Sequence, residues 1–415
     1  MNVLYISYDG MTDALGRSQV IPYLEGLSAL GHRIHILSCE KKNVAESERQ
    51  AVRRILEKAR MSWTPLSFST QPPFLSKLAD VVRMQQKAIA LHREHGFDAV
   101  HCRSYIASLA GLKLKKQFGV SFIFDMRGFW ANERIEGGLW NLKNPLYRVI
   151  YNYFKKREAD FFHYADAVVS LTHNGKGVIA ELFGNPIAAK TYVIPCCADT
   201  DLFSPQKNDP VRLNQLRSDL GLEPGQMVLS YLGSIGTWYM THEMLLFFKA
   251  LQRRYPDAKF LFITGDDPGM IHQKARQAGV DTSKVIVCRA LRDQVPLYLA
   301  LSQLSIYFIR PVFSKKASSP TKQAEIMSMG IPAITNAGIG DTDSIISEGG
   351  AGVVVELTQP GVFEKTVEQL DGLLTADPVQ IRQWAIKHFS LEDGVDQYAE
   401  IYQQLQEKKK LSHKS

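Results

Sequence analysis

Short apolar segments alternate with amphipathic helical ones from one end of this chain to the other. That alternation restricts the fold to parallel sheets covered by helices on both faces. In the first half the strand candidates are residues 3–7, 34–38, 99–102, 121–125, 167–171 and 192–195. Helical stretches separate them, such as 19–30, closed by Gly31, and 75–95, closed by Gly96. The pattern restarts at 227–232 and continues through 259–264, 285–287, 304–308, 333–336 and 352–355. A segment rich in Pro, Asp and Asn, 195–219, lies between the two series. At 415 residues the chain is too long for one ordinary core, so two domains are expected. Two doubly wound domains facing each other leave a cleft at the carboxyl ends of their strands. Residues in loops just after strands are therefore the candidates for chemistry.

Composition narrows the class. A hydrophobic content of 45% and a charged content of 22% describe a soluble globular protein. No apolar run approaches the roughly 18 residues of a membrane span, and the N-terminus reads as a first strand and not as a signal peptide. Five cysteines without CxxC spacing fit reduced thiols in a cytoplasmic protein and give no zinc site. The net charge of +7 is uneven: residues 1–200 hold 26 Lys and Arg against 18 Asp and Glu, and the remainder is nearly neutral. Basic helices in the first half, including Lys155-Lys156-Arg157, are solvated faces or a peripheral contact with an anionic membrane. No nucleic-acid module with interleaved basic and aromatic residues is present, so nucleic acid is not an expected partner.

The segment from Ser318 to Pro332 carries the most specific chemical signal. Ser319 suits the N-cap of a helix and Pro320 its first position. The backbone N–H groups of Thr321 and Lys322 and the positive end of the helix dipole then make an anion seat, to which Lys322 adds a full charge. Glu325 lies about one turn on, where a carboxylate can accept two hydrogen bonds from a vicinal diol. Gly330 and Pro332 end the helix. A diphosphate followed by a ribose, as in a sugar nucleotide, presents groups in that order.

With these residues in hand the chain resembles glycosyltransferase family 4, a retaining group of GT-B architecture, over essentially its whole length. The loop Asp13-Ala14-Leu15-Gly16-Arg17-Ser18-Gln19-Val20 resembles the family's N-terminal glycine loop. The segment Asp98–Ser104 is similar to its third strand, and Val193–Phe203 resembles the exit from the first domain. Leu232-Gly233-Ser234 stands where the family opens its second domain, and Ser319–Glu325 where it binds the nucleotide. The resemblance implies two Rossmann-like α/β domains facing a cleft: 1–203 on the acceptor side, 204–384 for the sugar nucleotide, and a terminal helix 385–410 packing back on the first. The basic tail 408–415 reads as frayed.

Departures from the family pattern are specific. Ala317 stands eight positions before Glu325, where many members carry a first glutamate. The Arg and Lys common after the second-domain glycine are absent from Gly233-Ser234-Ile235-Gly236-Thr237. Arg127 stands where many relatives have a functional histidine. The resemblance therefore implies a catalytic group of Asp125, Arg127 and Lys322. It implies substrate-binding places for Gly16, Arg17, Arg103, Arg134, Ser234, Gly236, Arg310, Ser319, Thr321 and Glu325. Lys322 and Arg310 are expected to carry the leaving diphosphate, and Lys315 and Lys316 read as a solvated loop. Asp125 and Arg127 are a cleft pair or a structural ion pair at a strand end, and His101 is as readily a hydrogen-bonded core histidine. The triplets Asp199-Thr200-Asp201 and Asp341-Thr342-Asp343 could hold a divalent cation, but their positions suit a domain exit and a helix cap. No metal and no other cofactor is expected.

The function expected is retaining transfer of a sugar from a nucleotide-sugar donor to a saccharide or lipid-linked acceptor, in making a cell-surface polysaccharide or glycolipid. The setting is cytoplasmic, with the inner face of the membrane as a peripheral contact. A sugar-nucleotide epimerase of the same architecture, or a degenerate subunit that binds sugar nucleotides without transferring, are the alternatives.

Overall fold

The structure, a computed structural model, describes residues 1–68 and 75–412. It holds two parallel sheets. The first runs β3-β2-β1-β4-β5-β6-β7, from β1 (Asn2–Ser7), β2 (Arg33–Glu40), β3 (Ser62–Ser67), β4 (Ala99–Arg103), β5 (Ser121–Asp125), β6 (Ala167–Ser170) and β7 (Thr191–Val193). The second runs β10-β9-β8-β11-β12-β13, from β8 (Val228–Leu232), β9 (Lys259–Ile263), β10 (Val285–Cys288), β11 (Leu304–Tyr307), β12 (Ala333–Asn336) and β13 (Gly352–Val355). Strand order reverses between β1 and β4 and again between β8 and β11. Those are the places where an open α/β sheet leaves a crevice for ligands. The expected strands are all present. β3 is an addition at the sheet edge, where Pro65 is tolerated and the polar, half-buried pattern gives little apolar signal.

The helices used below are α1 (Ala14–Gln19), α2 (Leu75–His95), α3 (Ser104–Phe118), α4 (Trp130–Glu136), α5 (Pro145–Tyr164), α6 (Thr321–Ser328), α7 (Pro378–Phe389) and α8 (Leu391–Ser412). Among the described residues no helix is long and apolar enough to cross a membrane.

The chain divides into one compact unit of Met1–Pro195 with the stretch from Leu391 onward, and a second of Cys196–Ser390. The division falls at 195/196 and 390/391, where the sequence suggests 203/204 and 384/385. The exit segment belongs to the second unit because Phe203 is fully buried in that core and Ala198 bridges to Ser390. Arg382 of α7 fastens it, donating to the carbonyls of Phe203 and Ser328, both at 2.6 Å, and of Thr200 at 2.8 Å. The terminal helix is also not continuous: Ser390 ends α7, and α8 runs on through Ser412 where a frayed tail is expected from 408. Residues 413–415 of that tail lie outside the described residues. α8 buries Val395, Tyr398, Ile401, Tyr402 and Leu405 in the first unit. Gly26 permits this, since a Cβ there would stand 2.6 Å from Val395 Cγ2.

Candidate functional site

In the second unit the side chains of interest follow β8, β9, β10 and β11. α6 begins at Thr321, one residue later than the sequence suggests: Pro320 flanks it with extended backbone, φ −70° and ψ 116°. Ser319 does not cap the helix; its hydroxyl accepts from the Cys196 N–H at 3.1 Å. Gln323 N–H closes the first turn onto Pro320 O at 3.0 Å, so the N–H groups of Thr321 and Lys322 precede that bond and point from the helix start. Ser319, Pro320 and Thr321 are half-buried, which keeps this end partly open.

Lys322 is buried, and aromatic rings enclose its ammonium. Nζ lies 3.0 Å from the Tyr231 hydroxyl, 4.1 Å from the Tyr231 ring centre and 3.6 Å from that of Tyr239. Among the described residues no carboxylate pairs with it directly. Burial pushes the ammonium well below the usual lysine range, against the weaker opposing pull of Glu325 and Asp266. Gly233, after β8, has φ +103°, and a Cβ there would come within 3.3 Å of Lys322 Nζ. The backbone demands glycine at this position, and a Cβ would crowd the ammonium.

Glu325 is buried one turn further on, and its Oε1 accepts from Arg292 of the segment after β10. Burial lifts the Glu325 carboxyl above its ordinary range, with Arg292 and Lys322 opposing. Arg292 in turn lies 4.9 Å above the Phe203 ring. Asp266, after β9, shapes the loop beyond Gly233 by accepting from Ile235 N–H at 2.5 Å and the Thr264 hydroxyl at 3.1 Å. Ser234 and Gly236 lie exposed in that loop, and the Ser234 carbonyl accepts from the Tyr231 hydroxyl. Arg310 is exposed; its guanidinium donates to Thr237 O at 2.9 Å and lies 5.6 Å above Trp238. The same indole meets Lys315 Nζ at 4.0 Å, and Lys315 is buried. The solvated-loop reading thus fits Lys316, which is exposed, and not Lys315. The two Asp triplets have local work: Asp199 Oδ1 accepts from the N–H groups of Asp201 and Leu202, and Asp343 Oδ2 from that of Gly338.

In the first unit a charge network gathers at the carboxyl ends of β1, β4 and β5. Arg103 ends β4 with its side chain buried, and its Nε lies 3.5 Å from Asp9, which follows β1. Arg134 of α4 lies 4.8 Å above the Trp130 ring; burial lowers its pKa, with Glu133 and Asp9 opposing. Asp125 ends β5 and is only 2% exposed. Arg127 NH1 lies 3.8 Å from its Oδ1, His101 Nε2 3.7 Å from its Oδ2, and the Tyr398 hydroxyl donates to Oδ2 at 3.1 Å. Burial would raise the Asp125 carboxyl, but Arg127, His101 and Arg103 together hold it below the ordinary range. Asp125 therefore stands as a buried anchor for Arg127 and not as a group open to substrate. His101 is 2% exposed and shares a 2.8 Å hydrogen bond with Tyr402, as a core histidine does. Ser104 and Arg127, immediately past β4 and β5, have φ of +65° and +58°. Left-handed backbone at non-glycine residues costs energy and clusters at functional sites.

Gly16 has a packing reason of its own. A Cβ on it would stand 2.2 Å from the Gly10 carbonyl and 2.6 Å from Met11 Cα, so the glycine lets α1 seat on its own loop. Gly16→Ala should lower stability by about 2–3 kcal/mol, measured by denaturant unfolding. Arg17, beside it, is exposed. The glycine loop is held from below by Glu40, whose buried carboxylate accepts from Met11 N–H at 2.8 Å and the Thr12 hydroxyl at 2.6 Å.

Sequence reasoning misses Tyr231, Tyr239, Asp266, Arg292, Asp9 and Tyr398. Asp9, Asp266 and Arg292 do carry a legible signal, a charge just past a strand. The tyrosines carry none.

Two family models match the chain: Glycosyltransferase Family 4 over residues 20–202, and Glycosyl transferases group 1 over residues 226–371. No curated protein matches it in sequence. Among solved structures it is similar to a sucrose-phosphate synthase from Thermosynechococcus elongatus, at 15% identity over 97% of this chain and 98% of that one, with a TM-score of 0.72. Anabaena HepE, solved with UDP and glucose, shares 15% identity over 97% and 99% of the two chains, with a TM-score of 0.69. A UDP-GlcNAc 2-epimerase from Neisseria meningitidis, bound to UDP-GlcNAc, shares 12% over 97% and 100%, with a TM-score of 0.59.

Proposed function

We propose, for a chain that is a family 4-like glycosyltransferase of two-domain GT-B fold, a retaining and metal-independent transfer from a nucleotide-sugar donor. The acceptor is a saccharide or a lipid-linked saccharide of cell-surface polysaccharide or glycolipid synthesis. The observation that carries this reading is the start of α6. A buried ammonium held by two tyrosines, two leading N–H groups and a carboxylate one turn on offer a diphosphate and a ribose their complements in order.

Lys322 and the α6 N–H groups take the charge that develops on the leaving diphosphate, and Arg310 adds to it by swinging off Thr237. Glu325 accepts from the ribose diol through the oxygen not given to Arg292. The departing phosphate helps to deprotonate the acceptor hydroxyl as it arrives on the same face, so the protein supplies orientation and not a conventional base. Arg127 and Arg103 face the acceptor side, with Asp125 fixing Arg127. Cationic side chains supply the phosphate's counter-charge, and the Asp triplets are occupied by backbone N–H groups; activity should therefore survive EDTA. The basic first unit makes peripheral contact with an anionic membrane leaflet.

Glu325→Ala should raise the donor KM roughly thirtyfold, the weight of ~2 kcal/mol for a charged hydrogen-bonding group. A KM unchanged in initial-rate assays would remove the assigned ribose contact. The epimerase fold neighbour gives the second reading its interest. Incubation with donor alone separates the two, since an epimerase converts the sugar without an acceptor and a transferase does not.

A further inference from the structure

A groove of about 390 Å³ opens on the helical face of the first unit, between α2, α3 and α5 and away from the strand ends described above. Leu109 and Leu112 form its apolar floor, and Tyr153, Lys113, Lys116 and Arg157 stand on its walls. Lys113 and Lys116 are exposed, as is Lys156 beside Arg157. Asp160, one turn on from Arg157, is paired with it at 2.7 Å. Glu158, on the same helix, is fully buried and accepts from Tyr105 and Lys155.

The groove continues into an apolar stripe. Leu146, Val149 and Tyr153 recur at helical spacing along α5 and are 48%, 66% and 44% exposed. On α2, Leu78 and Val82 are exposed one turn apart, with Val82 nearly a turn before Gln85 of the groove wall. These helices already bury one face against the sheet; α5, for instance, buries Phe154, Phe161 and Phe162. A second outward apolar stripe is not needed for folding and asks for a partner. α5 leads into β6, so its first turns, with Leu146 and Val149, lie toward the carboxyl edge of the sheet. Arg103, Asp125 and Arg127 lie at that same edge.

We propose that this face docks on an anionic lipid surface. Leu146, Val149 and Tyr153 enter the interface, while Lys113, Lys116, Lys156 and Arg157 meet the headgroup phosphates. Aliphatic and aromatic side chains flanked by cations, with one acid already paired, match the chemistry of such a surface. An acidic soluble protein would match the charges but leave the aliphatic stripe uncovered. Docking on this face lays α2, α3 and α5 along the lipid surface, with the strand-end arginines at the edge of the contact. The inference rests on the peripheral-membrane part of the proposed function and not on the transfer chemistry.

The test is co-sedimentation of the full chain with vesicles of phosphatidylcholine alone, or with about 30% phosphatidylglycerol. Binding is expected to the anionic vesicles only and to weaken as salt rises. Lys113→Glu with Lys116→Glu, and separately Val149→Ser with Tyr153→Ser, should each weaken it by about tenfold or more. All four residues are exposed or line the groove wall, so the melting temperature and UDP binding should stay at parental values. Equal binding to both vesicle types, no binding to the anionic ones, or full binding by both variants would overturn the proposal. Loss of UDP binding in the parent chain with vesicle binding intact would instead strike the donor site alone.

Discussion

Lys322→Met should weaken nucleotide-sugar binding, read with a nucleoside diphosphate such as UDP as the probe, on the order of 100-fold while raising, or at least not lowering, the stability of the free protein. The two signs come from one side chain. In the free protein the ammonium is buried against Tyr231 and Tyr239 with no carboxylate in direct contact, a position that carries an unrepaid desolvation cost. Methionine fills similar space without that cost, for a gain of about 1–2 kcal/mol and a rise in melting temperature of roughly 2–4 °C. A bound diphosphate supplies the missing counter-charge, so the same residue contributes ~3 kcal/mol to binding, the 100-fold above. Stability held below its optimum for function has this signature. Calorimetry with UDP and a thermal melt of each variant decide the matter. Unchanged UDP affinity would displace Lys322 from the diphosphate site.

A pH dependence follows with a definite sign. The folded pKa of Lys322 lies below its unfolded value, so burial penalises the charged form and stability rises with pH through that range. Donor binding demands the ammonium and pulls the proton back on. Affinity for UDP should therefore fall as pH rises through the free-protein pKa of Lys322, with uptake of a proton on binding. The groups facing Lys322 are Tyr231, Tyr239, Glu325 and Asp266. Tyr239 is pushed up to about 12 by burial and so stays neutral across this window.

Why the sequence reveals α6 and not its surroundings is a matter of range. Thr321, Lys322 and Glu325 lie within two turns, and their relative placement follows from helix geometry once the helix is read. Arg292, which takes one Glu325 oxygen, stands 33 residues away after β10. Tyr231 stands 91 residues from Lys322, at the end of β8. Both meet α6 only because the strand order sets β8 beside β11 with β9 and β10 following on the same side, and a chain read linearly does not show which strands adjoin. The helix start slips for the same reason of range: the Cys196 N–H, 123 residues away, donates to the Ser319 hydroxyl, which therefore does not cap α6, and Pro320 stays extended. Gly16 carries a second role that a linear reading does not show. A glycine in a family-like loop suggests close approach of a ligand, and here it also permits close approach of the loop's own backbone.

The contact between Asp125 and Tyr398, which spans 273 residues, supplies the second large expectation. Asp125→Asn should lower kcat about 100-fold with donor affinity unchanged, because the carboxylate holds Arg127 in its left-handed backbone and half-buried position. It should also destabilise the fold by ~2 kcal/mol, since the buried carboxylate's charged contacts with Arg127, His101 and Tyr398 are weakened together. That cost could mask the kinetic effect, so Tyr398→Phe is the sharper probe. It removes one hydroxyl from the carboxylate at about 1 kcal/mol and leaves the ring packed on Tyr23 and His101. Asp125 is held below its ordinary range, so its contribution to stability is present at neutral pH and is lost as pH falls through the folded pKa. Losing a donor to the charged form raises that pKa. The acid limb of the kcat profile should therefore move to higher pH in Tyr398→Phe, with kcat reduced on the order of tenfold at neutral pH. A melting temperature lowered with kcat and its acid limb unmoved would make this network mere packing for α8. The shift, if seen, means that α8 completes the charge network at the carboxyl ends of β4 and β5.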